Sequence, residues 1–403
     1  MSNIILKTKR LIKRIINILV TIVALPIVIL IFVIRPIIII RFGTLISGRI
    51  GHFSGDVEAY LCKQKTLSQK KRHIDIIGCP RRICNSHLKS MWERTFKITP
   101  WSKLWGALDR ACKFWTLGDI HHVRLYDNYS DYKLFLSTAP FLQLSEREKF
   151  NGQKLLAGLG IPEGSRWVCI HNRDTLYLDT ISISSIAYHD YRNFSINTML
   201  EASKELVRRG YYVVRMGSLV EEELISDNPK IIDYASSSLR NDFGDIYLAA
   251  KCSAYIGSDS GIALLPLIFR KPIFFINYSA SLINIMTRYN PNPIIIKRLW
   301  HNENKHFLSL RQIFKAGLIG AARSDIFKKA GIKVIDNTPE EIRDLVIEID
   351  ERINGLWKPL PEDIKLQQKF LDIFYQYAHK DQVGEVKARL GTAFLRQHKD
   401  LLD

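Results

Sequence analysis

The sequence predicts an α/β protein with two parallel-sheet, nucleotide-binding-type (Rossmann-like) domains behind an apolar N-terminal segment. Three observations predict it. Short apolar strands alternate with helices across glycine turns, first after residue 36 and again, more clearly, after residue 166, and such alternation implies a parallel sheet covered on both faces. The 403 residues suit two or more domains at roughly 100 to 200 residues each. A run from Ile15 to Ile34 carries no charge. With 47% hydrophobic and 10% aromatic residues, disordered, collagen-like and disulfide-scaffold proteins are excluded. The expected layout is a basic N-terminus and anchor over 1–35, a first Rossmann-like domain over 36–160, a second Rossmann-like domain over 161–355, and a helical tail over 356–403 that packs across the two domains or onto the first.

The apolar run follows five basic residues among the first 14. A helix of this length covers ~30 Å, the thickness of a hydrocarbon core, so the run reads as a membrane anchor. Arg35, Pro36 and four isoleucines follow it, which disfavours a cleaved signal peptide. The basic flank argues for a cytoplasmic N-terminus, and one crossing would export the remainder. Pro26 also permits a kinked, re-entrant or interfacial helix that never crosses. The six cysteines, Cys62, Cys79, Cys84, Cys112, Cys169 and Cys252, are scattered without zinc-ligand spacing. Reduced thiols in a cytosolic domain are the most economical reading, and they count against export.

Residues 36–42 (PIIIIRF) read as a strand broken at Gly43, followed by a glycine-rich turn and a helix ending near Cys62. Residues 73–78 and 120–126 read as further strands of that sheet, and the Trp-rich basic region between them has no clear order. In the second cycle, 166–171 is a strand, a helix runs from Ser195 to Arg209 and stops at Gly210, and 211–216 is the next strand. Strands at 231–234 and 253–256, a helix at 244–252, a helix from Ile262 to Phe269 and a strand at 272–276 complete it. Helix follows Pro339.

The sharpest chemical signal is Gly257, Ser258, Asp259, Ser260 and Gly261, between a strand ending at Ile256 and a helix. Backbone amides and the helix dipole converge there on a place for an anion; the plainer alternative is that Asp259 and Ser260 cap the helix. Arg173 and Asp174 lie at one strand end, and Arg215, Gly217 and Ser218 at the next. Arg192, just before the long helix, offers another arm. In open parallel sheets the ligand crevice lies outside the carboxyl ends of the strands, and the arginine fork suits phosphate oxygens. In the first domain the corresponding loop holds Gly43, Ser47, Arg49, Gly51, His52 and Asp56. His52, as an imidazole, is a candidate general base, with Asp56 or Glu58 orienting it or replacing it; the alternative is an ordinary surface histidine. Motifs for P-loop nucleotide hydrolysis, zinc proteolysis, zinc ribbons and α/β-hydrolases are missing. No Asp-x-Asp pair suggests a metal-held sugar nucleotide, so no metal and no cofactor are expected.

In RFGTLISGRIGH (Arg41 to His52), DYRN (Asp190 to Asn193), YYVVRMG (Tyr211 to Gly217), DFGDIYLAAKC (Asp242 to Cys252) and GSDSG (Gly257 to Gly261), the chain resembles a family of bacterial glycosyltransferases from surface-polysaccharide clusters. More distantly it resembles heptosyltransferase-like members of the two-domain GT-B class. The resemblance covers about residues 36–400. It implies two Rossmann-like domains facing a cleft, with a nucleotide-sugar in the C-terminal domain and the acceptor against the N-terminal one. Heptosyltransferase-like proteins usually carry Gly-Asp where this loop reads Gly51-His52, which leaves His52 or Asp56 as the base. Arg173, Arg215 and the Ser258 to Gly261 turn would then hold the donor diphosphate.

The expected function is an inverting, metal-independent glycosyltransferase at the inner membrane, with cytoplasmic catalytic domains and a lipid-linked or surface-polysaccharide acceptor. Residues 63–124 carry 14 Lys or Arg against 4 acids, whereas 125–403 carry 36 against 34. That asymmetry fits an anionic membrane surface as partner, each nearby basic residue adding on the order of 1 kcal/mol. A nucleic-acid-binding membrane protein is the weaker alternative, since no nucleic-acid motif accompanies the charge; a non-catalytic nucleotide-sugar sensor or scaffold is the other.

Overall fold

The structure is a computed structural model that describes residues 8, 11–12, 15, 18–19, 22–66, 73–114, 118–123, 125, 135, 137–176, 186–282, 291–377 and 389–403. The chain forms two compact units, Met1–Tyr129 with Pro140–Leu142, and Ser130–Ala139 with Gln143–Asp403. Both are α/β with parallel sheets.

In unit 1, helix α1 (Leu25–Ile34) precedes strand β1 (Ile39–Thr44). Pro26 lies in the first turn of α1, where its missing N–H costs nothing. Ile22 and Val23 just before it are helical as well, so the chain breaks its helix at a turn at Ala24, two residues before Pro26. The expected 20-residue spanning helix is not seen as such: among the described residues no helix is long and apolar enough to cross a membrane. Residues 16–17 and 20–21 of the run, and the five basic side chains before it, lie outside the described residues. A π-helical turn (His52–Asp56) leads into α2 (Val57–Thr66), then β2 (His73–Gly78). Helix α3 (Ser86–Thr95), β3 (Ile98–Thr99) and α4 (Ser102–Phe114) order the Trp-rich region. The sheet runs β1-β2-β3, all parallel, with Ile39 opposite His73 and Thr44 opposite Gly78. The strand expected at 120–126 is reduced to one parallel bridge, Phe42 to His122, after a short 3₁₀ turn; residues 124 and 126 lie outside the described set.

Unit 2 begins earlier than the expected residue 161. Helix α5 (Glu146–Gly158) belongs to it because α5 packs against α7 (Asp242–Lys251). A Cβ at Gly152 would sit 1.9 Å from the Tyr247 ring, so only glycine permits this approach. The central sheet contains β4 (Trp167–His171), β5 (Tyr212–Arg215), β6 (Ile231–Ile232), β7 (Ala254–Gly257) and β8 (Ile273–Phe275), in the order β6-β5-β4-β7-β8 and all parallel. Helix α6 (Leu200–Arg208) follows a 3₁₀ turn, and Gly210, at φ 88°, ends the segment. The helix after GSDSG is a 3₁₀ turn (Gly261–Ala263) joined to short α8 (Leu264–Ile268). A two-stranded piece pairs β9 (Pro293–Ile294) with β13 (Arg389–Leu390), and a three-stranded sheet holds β10 (Arg298–His301), β11 (His306–Phe307) and β12 (Ile332–Ile335).

Helix α11 (Pro339–Ile353) begins with a Thr338–Glu341 capping box, as the proline at its start suggests. The tail, including α12 (Pro361–Tyr377) and α13 (Thr392–Gln397), folds onto unit 2. The buried Glu348 carboxylate accepts from both Thr392 N (2.7 Å) and Thr392 Oγ (2.8 Å), and Asp363 pairs with Arg396. These contacts fasten the tail to unit 2.

Candidate functional site

In unit 2 the chain builds β4, β5 and β6 in one direction, then returns to place β7 on the other side of β4. The strand order therefore switches between β4 and β7, where an open parallel sheet leaves a crevice beyond its strand ends. His171 and Gly257 are opposite one another at that point, and Ile170 is opposite Arg215. A Cβ on Gly257 would lie 2.4 Å from the His171 carbonyl, so the glycine permits the strands to close up. Ser258 is fully buried just beyond it. Ser260 makes no capping bond; its Oγ lies 3.2 Å from His171 Nδ1 and 3.5 Å from the Tyr255 hydroxyl. Burial, with Arg215 and Arg173 nearby, pushes His171 down to about 3, so the ring is neutral. Asp259 does not cap either: Arg192 Nε donates to its Oδ1 at 3.1 Å. Gly261 is exposed at the start of the turn.

The DYRN loop is stitched onto the end of β4. Asn172 Nδ2 donates to Phe194 O (3.0 Å), and Phe194 N donates to Arg173 O (3.2 Å). Arg173 Nη1 donates to His189 O (3.0 Å) and to Asn193 Oδ1. Lys297, from the loop after β9, donates from Nζ to Asn193 O at 2.6 Å and pairs with Asp336 at 2.6 Å. Burial, with Arg192 beside it, lowers Arg173 to about 10; burial likewise lowers Lys297, against the pull of Asp336. Burial also pulls on Arg192, but Asp259 and Tyr191 outweigh it and the net shift is upward. Three cations, Arg173, Arg192 and Lys297, thus gather around Asn193 and Asp259. Lys297 was absent from the sequence-based set. Its signal was a lysine, followed by Arg298, at the end of the apolar run Pro293 to Ile296.

Arg215 stands apart from this group. It is 0% exposed, and its guanidinium donates to Glu222 O (2.7 Å), Asp233 Oδ2 (3.0 Å) and Asn172 Oδ1 (3.2 Å). These internal contacts hold the end of β5, which runs against the expected phosphate contact. Asp174 Oδ2 accepts from Glu221 N (3.0 Å), with burial raising its carboxyl. Gly217 is packed against Val220 and Ala235, and Ser218 is half-buried.

In unit 1, His52 and Asp56 lie at the two ends of the π-helical turn, a feature often found at functional sites. His52 Nδ1 is 2.9 Å from Asp56 Oδ2, and Asp56 is 2% exposed. A carboxylate oxygen accepts, so in this pairing Nδ1 is the donor and Nε2 is the ring nitrogen left for a substrate. Asp56 orients; its burial leaves His52 as the group that can reach a substrate. Trp92 Nε1 donates to Phe53 O (2.9 Å) and pins the turn from α3. Glu58 is fully buried and accepts from Phe141 N (3.2 Å).

Ser47 Oγ donates to Arg82 O (2.6 Å) and Cys84 N donates to Ser47 O (2.8 Å), joining the loops after β1 and β2. Arg49, Arg81 and Arg82 are exposed on these loops, Gly51 is buried, and Gly43 lies inside β1 against Val123. Arg41 is taken up internally by Asp75, at 2.5 and 2.6 Å.

No family model and no curated protein matches the chain. Among solved structures it is similar to the ADP-heptose lps heptosyltransferase II of E. coli, with 15% identity and a TM-score of 0.40, over 79% of this chain and 98% of that one. It is also similar to a glycosyl transferase family 9 protein of Veillonella parvula (11% identity, TM-score 0.37, 64% of this chain and 86% of that one). A third is the dodecameric iron-containing heptosyltransferase TibC in complex with ADP-D-beta-D-heptose (14%, TM-score 0.32, 62% and 61%). Likeness at these values does not carry an activity across.

Proposed function

We propose that this chain is a glycosyltransferase that moves a sugar from a nucleotide-sugar to a lipid-linked or surface-polysaccharide acceptor at the cytoplasmic face of the inner membrane. The observation that carries the reading is the cation group Arg173, Arg192 and Lys297 at the strand switch of unit 2. A diphosphate carries the charge those cations match, and fixed cations stabilise the negative charge that grows on a departing nucleoside diphosphate. His52, oriented by Asp56, would take the proton of an acceptor hydroxyl. The hydroxyl oxygen then bonds to the anomeric carbon as the bond to the diphosphate oxygen breaks, which inverts that carbon. No step in this scheme calls for a metal or a cofactor.

A thermal-shift panel of nucleoside diphosphates and nucleotide-sugars should reveal at least one stabilising ligand, since binding raises apparent stability with the logarithm of ligand concentration. Transfer from that donor to a lipid-linked acceptor should fall about 10²- to 10⁴-fold in His52→Ala with donor binding kept, and less in Asp56→Asn. Full transfer by a folded His52→Ala protein would remove the base assignment. Donor binding without turnover on any acceptor would favour the sensor reading.

A further inference from the structure

Helix α1 is half core and half surface. Ala24, Val28 and Ile31, spaced four and three residues apart on one helical face, are buried in a cluster with Phe42 of β1 and Leu108, Ala111 and Cys112 of α4. Val28 is 2% exposed. Beside them on the helix, Leu30 is 61% exposed and Val33 67%, and Ile27, Ile29 and Phe32 are exposed as well. Before the helix Ile18, Leu19, Ile22 and Val23 are exposed, and after it Ile37. Helix α4, on which α1 packs, is led by Trp101 at 62% and ended by Phe114 at 73%. So much exposed apolar surface marks an interaction site.

We propose that unit 1 sits in one leaflet of an anionic phospholipid bilayer through the outer face of α1, without a membrane-crossing helix. This rests on the membrane association in the proposed function and specifies how it is made. One feature decides against a crossing. The inner face of α1 is fastened to β1 and α4 through Ala24, Val28 and Ile31, so α1 cannot enter the bilayer as a separate span without uncovering Phe42 and Leu108. Charge identifies the occupant. Exposed Lys97 and Lys103 flank Trp101, Arg35 lies over the Phe32 ring at the end of α1, and Lys113 ends α4. Apolar side chains and tryptophan bordered by cations suit the boundary between acyl chains and anionic headgroups, where such helices lie ~5–10 Å deep.

The test uses the full chain with vesicles of phosphatidylethanolamine and phosphatidylglycerol, against vesicles of phosphatidylcholine alone. Flotation should favour the anionic vesicles. The double substitution Leu30→Glu, Val33→Glu should lower the bound-to-free ratio about tenfold or more, with the melting curve unchanged because both positions are exposed. Should that protein fail to fold, Leu30→Ser with Val33→Ser replaces it. Protease added to inside-out membrane vesicles should cut tags at both termini. Tags on opposite sides would overturn the one-leaflet arrangement and leave membrane association standing. Wild-type protein that does not float would overturn both. Flotation unaffected by the double substitution would also overturn the proposal. So would a concentration-dependent dimer that the substitution abolishes, since a second copy would then cover the face.

Discussion

The two units share a fold class but spend their charges differently. Unit 1 carries Arg49, Arg81 and Arg82 exposed on the loops beyond its strand ends. Unit 2 turns three of its arginines inward: Arg215 to Asp233, Arg192 to Asp259, and Arg209 to Glu205 and Asp350. A near-neutral unit can therefore still build a cationic crevice, because partial pairing fixes each guanidinium in place. A strongly basic unit keeps those loop charges outward, which suits an extended anionic surface better than a single small ligand.

The largest effect that would sharpen this contrast is expected at Arg215. Arg215→Ala should cost about 3–5 kcal/mol of stability by leaving the half-buried Asp233 without its cation, read by urea denaturation. Unchanged stability with weakened donor binding would make Arg215 a ligand contact and break the comparison. Lys297→Met comes next. Lys297 is 1% exposed and bonded to Asn193 and Asp336, so it acts through its charge and its hold on Asn193; its loss should weaken diphosphate binding by about 1.5–3 kcal/mol, while Arg81→Ala leaves donor affinity unchanged, and calorimetric titration distinguishes the two units.

The smallest effect concerns acid. Burial holds His171 at about 3 against an ordinary 6.5, and the sign of its pH dependence follows directly. Between those values the unfolded chain binds a proton that the folded chain refuses, so stability is complete above about 6.5 and falls as the pH drops towards 3. At pH 5 the loss is up to about 2 kcal/mol. His171→Gln should flatten the fall in melting temperature between about pH 7 and pH 5.

Much of unit 2 was legible because apolar strands end at polar residues and glycines, and the crevice rule then gathers those ends at one place. Each of its expected main-sheet strands formed, trimmed or shifted by a residue or two at the ends. The His52–Asp56 pair was legible too, since four residues of helical chain bring two side chains together. Arg215 was not, because its fate depends on Asp233 and the Glu222 carbonyl, which the sequence does not mark as neighbours. The order of the Trp-rich region was also missed, although Asn85, which caps α3 by accepting from Leu88 N at 2.8 Å, is a readable start signal. The unit boundary moved because the fit of Gly152 against Tyr247 is a tertiary fact.

The buried face of α1 bears on how this protein is produced. Deleting the chain through Arg35 to obtain a more soluble product would extract Ala24, Val28 and Ile31 from the core of unit 1. The truncated protein would exchange an outer greasy face for an open interior one. Polar replacements at Leu30 and Val33 are the better route to a well-behaved preparation, because they alter the surface and leave the plug in place.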